Sequence, residues 1–83
     1  MTMRDATGQF RHLNVVPGIG PKAVEKLGEF GYTTIAHLIG QYLLFGCDND
    51  LMTSWFEEKI PGHPKRYIDA SVTALSNWSA TML

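Results

Sequence analysis

Hydrophobic residues recur at helical spacing along most of the 83-residue chain. The clearest example lies between residues 34 and 45, where apolar side chains at i, i+3, i+4, i+7 and i+8 predict one buried helix face. These residues are Ile35, Leu38, Ile39, Tyr42 and Leu43. Two further stripes consist of Leu51, Met52, Trp55 and Phe56, and of Ile68, Val72, Leu75 and Met82. Because no segment alternates with the two-residue period of a strand, the pattern predicts an all-α fold.

Turn and capping residues predict where these helices begin and end. The predicted ends are Gly31 as a left-handed C-cap after a helix over 21–30, Thr33 or Thr34 as the next N-cap, Gly46 as the end of that helix, and Asp48, Asn49 and Asp50 as caps of another. After a break at residues 61–64, a last helix runs from about 64 to 82. Residues 1–14 lack sustained periodicity and are predicted to form a tail or a short helix, which leaves residues 15–83 as one domain.

Composition is consistent with one small domain. Apolar residues make up 45% of the chain and aromatic residues 11%, which is enough for a core without a metal or disulfide. Cys47 is the only cysteine, and it shows no metal-ligand spacing with His12, His37 or His63, so we expect no metal and no cofactor. Without an apolar run of about 18 residues or a secretory leader, the chain is predicted to be soluble and intracellular, with no membrane span.

The segment from Val15 to Leu27 carries the strongest chemical signal. Gly18 and Gly20 bracket one apolar residue and are expected to allow backbone conformations with φ above zero, while Ile19 turns inward as an anchor. Pro21 follows at the expected first position of a helix. The first N–H groups of that helix, from Gly20, Lys22 and Ala23, have no acceptor inside it, and the helix dipole adds partial positive charge. The segment is therefore predicted to bind a phosphate.

Two lysines strengthen this interpretation, because Lys22 and Lys26 share one face of the helix. The segment over about residues 13–31 resembles the helix-hairpin-helix motif of DNA-binding proteins that lack sequence specificity. The motif positions are filled by Val16, Gly18, Ile19, Gly20, Ala23 and Leu27. A tight loop before an ordinary helix is the structural alternative. A dinucleotide-binding loop fits less well, because Ala23 replaces its third glycine and no strand precedes the segment.

The break at residues 61–64 precedes two adjacent cations, Lys65 and Arg66. Cations in the first turn of a helix oppose its dipole, and a bound anion would relieve that opposition. The sequence leaves two interpretations open here, a degenerate second hairpin that contacts DNA and a solvated turn. The net charge of −1 argues against a broadly basic surface, so any binding of DNA is expected to be local and independent of base sequence.

The helix over residues 34–45 has a second apolar strip, formed by Ala36, Gly40 and Leu44. A helix that is apolar on two sides is expected to be covered on both, either by a second copy of the chain or by the other helices. Leu51 and Trp55 are more often core residues, but if exposed beside such an interface they would form a groove for a partner helix.

Beyond the hairpin, the chain resembles the barrier-to-autointegration factor family over about residues 15–83. The residues that carry the resemblance are Gly18-Ile19-Gly20, Lys26-Leu27, Gly31-Tyr32, the run from Leu38 to Leu44, Asp48 to Leu51, Trp55-Phe56, Gly62, Leu75, Trp78 and Leu83. The resemblance implies a compact five-helix domain similar to a sterile-alpha-motif domain. It also implies a homodimer that bridges double-stranded DNA and is associated with chromatin, in the nucleus if the source is eukaryotic.

The resemblance assigns roles to individual residues. It implies phosphate contacts by the hairpin backbone at Gly18, Ile19, Gly20, Lys22 and Ala23, by Lys26, and by Lys65 or Arg66. It implies dimerisation through the helix containing Gly40, Gln41 and Leu44, and a groove around Gly40, Leu44, Leu51 and Trp55 that receives LEM domains of nuclear-envelope proteins.

Two other classes of function were compared with DNA bridging. An enzyme similar to the helix-hairpin-helix glycosylases requires a catalytic pocket between domains, and 83 residues are too few to build one. We therefore expect no enzymatic activity. A protein-interaction adaptor similar to a sterile-alpha-motif domain, without DNA binding, fits the size and charge but has no need of Gly-Ile-Gly at the start of a helix.

Overall fold

The computed structural model describes residues 12–82, and these residues form an all-helical fold without a strand. Its elements are a 3₁₀ helix at Leu13–Val15 and four α-helices, α1 at Pro21–Glu29, α2 at Ile35–Leu44, α3 at Asn49–Lys59 and α4 at Lys65–Met82. An isolated antiparallel bridge joins His12 to Thr34. The predicted tail or short helix at residues 1–14 lies largely outside the described residues.

The expected number of five helices is not confirmed, because residues 12–82 contain four α-helices and one 3₁₀ helix of three residues. The 3₁₀ helix is short for a local reason. Pro17 disfavours helical backbone at the preceding Val16 and cannot donate a helical hydrogen bond itself. Leu13 is nevertheless fully buried, so this short element contributes to the core.

The core is built largely from the predicted stripes, since α4 packs against both α2 and α3. Leu51 is an exception, because it is 50% exposed and does not belong to the buried face of α3. The side chains in its centre with no exposed surface are Leu13, Leu27, Leu38, Met52, Phe56 and Leu75. On α2, Ile35, Leu38, Ile39 and Tyr42 are buried as predicted. Leu43 is 41% exposed, which corrects its assignment to the stripe. At about 100° per residue it lies roughly 80° around the helix from Ile35, beyond the covered face.

The helix ends follow the predicted capping residues. Gly31 has φ of +91°, and the N–H of Tyr32 bonds the Leu27 carbonyl at 3.0 Å, as in a Schellman C-cap. The Asp48 carboxylate accepts the Leu51 N–H at 3.1 Å at the start of α3. At α2, the N-cap is Thr34, but the cap acceptor is His37, whose Nδ1 accepts the Thr33 N–H at 2.9 Å.

A tight turn before α1 rests directly on α4. The Ile19 N–H bonds the Val16 carbonyl at 3.1 Å, and Gly18 has φ of +86°, so Pro17 and Gly18 occupy the central positions of a type II turn. A Cβ on Gly18 would lie 2.1 Å from the Tyr67 carbonyl oxygen of α4. Glycine is therefore required at position 18 by both the backbone angle and the close approach.

One buried hydroxyl fixes this approach. Ser71, which is 1% exposed, donates from Oγ to the Pro17 carbonyl at 2.7 Å, with the Tyr67 carbonyl 3.0 Å away. Gly20 differs from Gly18, because its φ is −98° and its ψ is −175°, and an added Cβ would meet no atom within 4 Å. The expectation that both glycines support positive φ is thus correct for Gly18 and wrong for Gly20.

Replacing each glycine by alanine tests whether glycine is required at position 18 but not at position 20. We expect Gly18→Ala to lower the free energy of unfolding by about 2–4 kcal/mol, because it adds left-handed strain and a clash with α4. Gly20→Ala, the matched control, is expected to stay within about 1 kcal/mol of the original protein. Urea denaturation followed by circular dichroism measures both. Equal stability of the two variants would contradict the described packing of the turn.

Candidate functional site

The first part of the candidate site is the start of α1. Gly20 is the N-cap and Pro21 the first helical residue, and the Val24 N–H donates to the Gly20 carbonyl at 2.9 Å. The N–H groups of Lys22 and Ala23 precede this bond and have no acceptor inside the helix. No acidic side chain lies in the first turn of α1. The helix start therefore offers backbone donors and partial positive charge to an anion.

Ile19 and Ala23 hold this helix start in place. Ile19 is 5% exposed, which confirms its predicted role as an inward anchor, and its N–H is already bonded to the Val16 carbonyl. The Ala23 side chain is 3% exposed and packs in the core. Their side chains thus orient the turn, while the free backbone donors lie at the helix start.

The second part repeats the geometry of the first. The His63 N–H bonds the Ile60 carbonyl at 3.1 Å across Pro61 and Gly62, and Gly62 has φ of +86°. The helix α4 begins two residues after His63, as α1 begins two residues after Ile19, and its first turn also has no acidic residue. A Pro-Gly type II turn followed by a helix therefore occurs twice, 44 residues apart.

His63 joins the two turns. Its Nε2 lies 2.7 Å from the Gly18 carbonyl oxygen, which is a hydrogen-bond distance. Since a carbonyl only accepts, Nε2 is the donor in this bond. The His63 ring centre also lies 5.8 Å from that of Tyr67. In the sequence, His63 is part of the break at residues 61–64 and has no metal-ligand spacing, and nothing local predicts this contact, because the partner lies 45 residues away.

Two surface grooves meet at His63. The larger, of about 460 Å³, separates α1 from the second turn and is lined by Lys22, Ala23, Lys26 and residues 60–64. The smaller, of about 340 Å³, is lined by Gly18, Ile19, Gly20, His63 and Tyr67. The starts of α1 and α4 thus lie beside these two adjoining grooves, and the His63 imidazole lines both of them. We call the two grooves together the depression.

The cations near this depression differ in their partners. Lys26 Nζ lies 3.8 Å from Glu29, and Lys65 Nζ lies 3.6 Å from Asp69. Among residues 12–82, neither Lys22 nor Arg66 is in an ion pair. Arg66 instead lies over the Tyr67 ring at 4.9 Å and donates to its hydroxyl at 3.2 Å.

Lys65 lines a different surface groove, which also contains Asp50, Glu57 and Asp69. That groove is acidic, so the positive charge of Lys65 is locally compensated. Arg66 adjoins Tyr67, which lines the groove of the first turn. The two neighbouring cations that the sequence did not distinguish therefore lie in different surroundings, and Arg66 is the one next to the two turns.

A second candidate surface lies on α2 and the start of α3. Leu44 is 81% exposed, Leu51 is 50% exposed and Gly40 is also exposed. Trp55 is only 8% exposed, and the Tyr32 ring packs edge-on against it at 5.0 Å. The Tyr32 hydroxyl in turn donates to Gln41 Oε1 at 3.3 Å. We call the exposed Gly40, Leu44 and Leu51 the leucine patch, and Trp55 is linked to α2 through Tyr32.

Residues 12–82 contain no cluster of three or more His, Cys, Asp or Glu side chains that could hold a metal ion. No helix in this range has the length and apolar character needed to cross a membrane.

Comparisons with known proteins agree with each other. The sequence model of the family described as "Barrier to autointegration factor" matches residues 8–82. The chain is also similar to Barrier-to-autointegration factor 1 of Caenorhabditis elegans, with 30% identity over 69 residues, which cover 83% of this chain and 76% of that protein. No solved structure gives a significant match.

Proposed function

This chain belongs to the barrier-to-autointegration factor family, and we propose that it binds double-stranded DNA through the two Pro-Gly turns and the helix starts that follow them. The observation that carries the proposal is the repetition of one geometry at residues 16–22 and 60–66, with the two copies bonded to each other through His63. Each copy presents a helix N-terminus without acidic residues, which favours a phosphate.

The proposed phosphate ligands are the backbone N–H groups of Gly20, Lys22 and Ala23, with the side chains of Lys22, Lys26 and Arg66. In this arrangement Gly18 and Ile19 form the turn that positions them, and the first turn is the hairpin of a helix-hairpin-helix motif. Backbone donors and helix ends read phosphates and not bases, so binding is independent of sequence. A chain with net charge −1 depends on these local contacts, because its overall field does not attract DNA.

We further propose a homodimer formed through the leucine patch of α2 and α3. Leu44 and Leu51 are large apolar side chains exposed in the single chain, and Gly40 lets a second helix approach closely. A twofold axis at this patch would give each dimer two pairs of turns and so allow it to bridge two duplexes. The groove at Gly40, Gln41, Leu44, Leu51 and Trp55 is the proposed site for a LEM-domain partner, and chromatin in the nucleus is the proposed location.

The alternatives are weaker. The family is one of DNA-binding proteins without enzymatic activity, and we propose the same of this chain. An adaptor without DNA binding is not favoured, since it would leave the two donor-bearing turns and the unpaired cations without a role.

DNA binding is tested by fluorescence anisotropy with short duplexes of unrelated sequence. We expect similar affinities for all of them, and a plot of log K against log salt concentration with a slope of about −2 to −4, as expected for a few phosphate contacts. Gly20→Glu is expected to abolish binding, because the open space at Gly20 accepts the side chain but places a carboxylate at the helix start. A strong preference for one sequence, or no binding at low salt, would contradict the proposal.

Gly28→Glu is the matched control for that variant. Gly28 lies near the other end of α1, an added Cβ there also meets no atom within 4 Å, and the change in net charge is the same. We expect Gly28→Glu to bind DNA nearly as well as the original protein. If both variants lose binding equally, the effect is one of net charge and not of the turn.

The individual cations are tested by three substitutions that each remove one positive charge. We expect Lys22→Gln and Arg66→Gln to weaken DNA binding roughly 3- to 10-fold at about 0.1 M salt and to make the salt slope shallower by about 1. Lys65→Gln is expected to have a smaller effect, because Asp69 already pairs with that charge. A larger loss for Lys65→Gln than for Arg66→Gln would reverse the assignment.

The dimer is tested by sedimentation. We expect the 9.3 kDa chain to sediment as a dimer at micromolar concentration, and Leu44→Glu to sediment as a folded monomer, since Leu44 makes little contact within its own chain. Phe30→Glu, which changes an exposed apolar side chain elsewhere, is the control and is expected to stay dimeric. A monomeric original protein would exclude this dimer.

A further inference from the structure

We propose that His63 takes up a proton when DNA binds and then serves as an additional phosphate ligand, so that affinity rises as the pH falls. This inference rests on the proposed DNA binding at the two turns. His63 is half-buried, and its ring lines both of the grooves that flank the starts of α1 and α4. No other residue lines both grooves.

The hydrogen bond to the first turn determines what a neutral His63 can do. A neutral imidazole carries one N–H, and the Gly18 carbonyl at 2.7 Å takes the one on Nε2. Nδ1 is then left with a lone pair, which repels a phosphate oxygen. A second donor becomes available only when Nδ1 is protonated. A phosphate that contacts this ring therefore requires the imidazolium.

The charges that face His63 also favour a link between phosphate binding and protonation of the ring. From α1, Lys22 and Lys26 line the same groove, and from α4, Tyr67 contacts the ring with Arg66 beside it. The loop at residues 17–20 has no titratable side chain. Since the facing charges are positive and no carboxylate lines either groove, an anion in the depression is what stabilises a positive ring. Binding of a phosphate and uptake of a proton are thus linked.

The test measures binding of a labelled duplex at constant ionic strength at about pH 6 and about pH 8. We expect the original protein to bind roughly 3- to 10-fold more tightly at the lower pH, because binding that takes up protons strengthens as the pH falls. His63→Gln keeps an amide donor for the Gly18 carbonyl but does not titrate, so we expect its affinity for the duplex to be nearly the same at about pH 6 and at about pH 8.

His37→Asn is the matched control. His37 lies at the start of α2, where its Nδ1 accepts backbone N–H groups, and an asparagine oxygen replaces that acceptor. This variant is expected to keep the full pH difference. If His63→Gln keeps it as well, or if His37→Asn loses it, the inference is overturned.

Nuclear magnetic resonance of the imidazole nitrogens in the original protein gives a readout that does not depend on any variant. At a fixed pH near neutrality, we expect addition of duplex to convert His63 Nδ1 from the unprotonated to the protonated form. If the duplex binds but the ring signals do not change, the inference about His63 is overturned while the proposed DNA binding stands. If no duplex binds even at about pH 6 in low salt, the proposed function fails together with it.

Discussion

The close approach of the first turn to α4 is the constraint on which the rest of the site depends. Gly18 lies so near the Tyr67 carbonyl that no other residue fits, and the buried Ser71 hydroxyl bonds the Pro17 carbonyl from the same helix. A turn that precedes α1 is thereby held against the first part of α4, about 50 residues later in the chain. This contact, together with the bond from His63 to Gly18, fixes the start of α1 relative to the start of α4.

The approach also supports the proposed anion site on a protein that is nearly neutral. Each helix start contributes donors and partial charge from its backbone, so few cationic side chains are needed. The two turns bring two such starts close together. Lys22 lines the larger groove beside them, Arg66 adjoins Tyr67 of the smaller groove, and no described carboxylate pairs with either cation. Asp50, Glu57 and Asp69 lie instead in the separate groove around Lys65. Part of the negative charge is thus kept away from the two turns, although the total charge is −1.

Local features of the sequence predicted the helices well, because periodicity and caps depend on neighbours in the chain. The buried faces of α2 and α3, the C-cap at Gly31 and the N-cap at Asp48 follow from residues within one or two turns. Leu43 was assigned to the wrong side because periodicity alone does not define how wide the covered face is.

Features that depend on distant contacts could not be predicted in the same way. Gly18 and Gly20 look equivalent in the sequence, but only Gly18 lies against another helix. Lys65 and Arg66 are adjacent, and it is the carboxylate groove on one side and Tyr67 on the other that distinguish them. The bond between His63 and Gly18 has no local signal at all. The repeated Pro-Gly turn was visible as a pattern, but its equivalence to the first turn required the backbone angles at Gly18 and Gly62.

The proposed DNA interface and the leucine patch lie on different elements. The proposed DNA interface lies on α1 and the start of α4, and the leucine patch lies on α2 and the start of α3. This separation would let a dimer form without covering either pair of turns, which is the arrangement that bridging two duplexes requires.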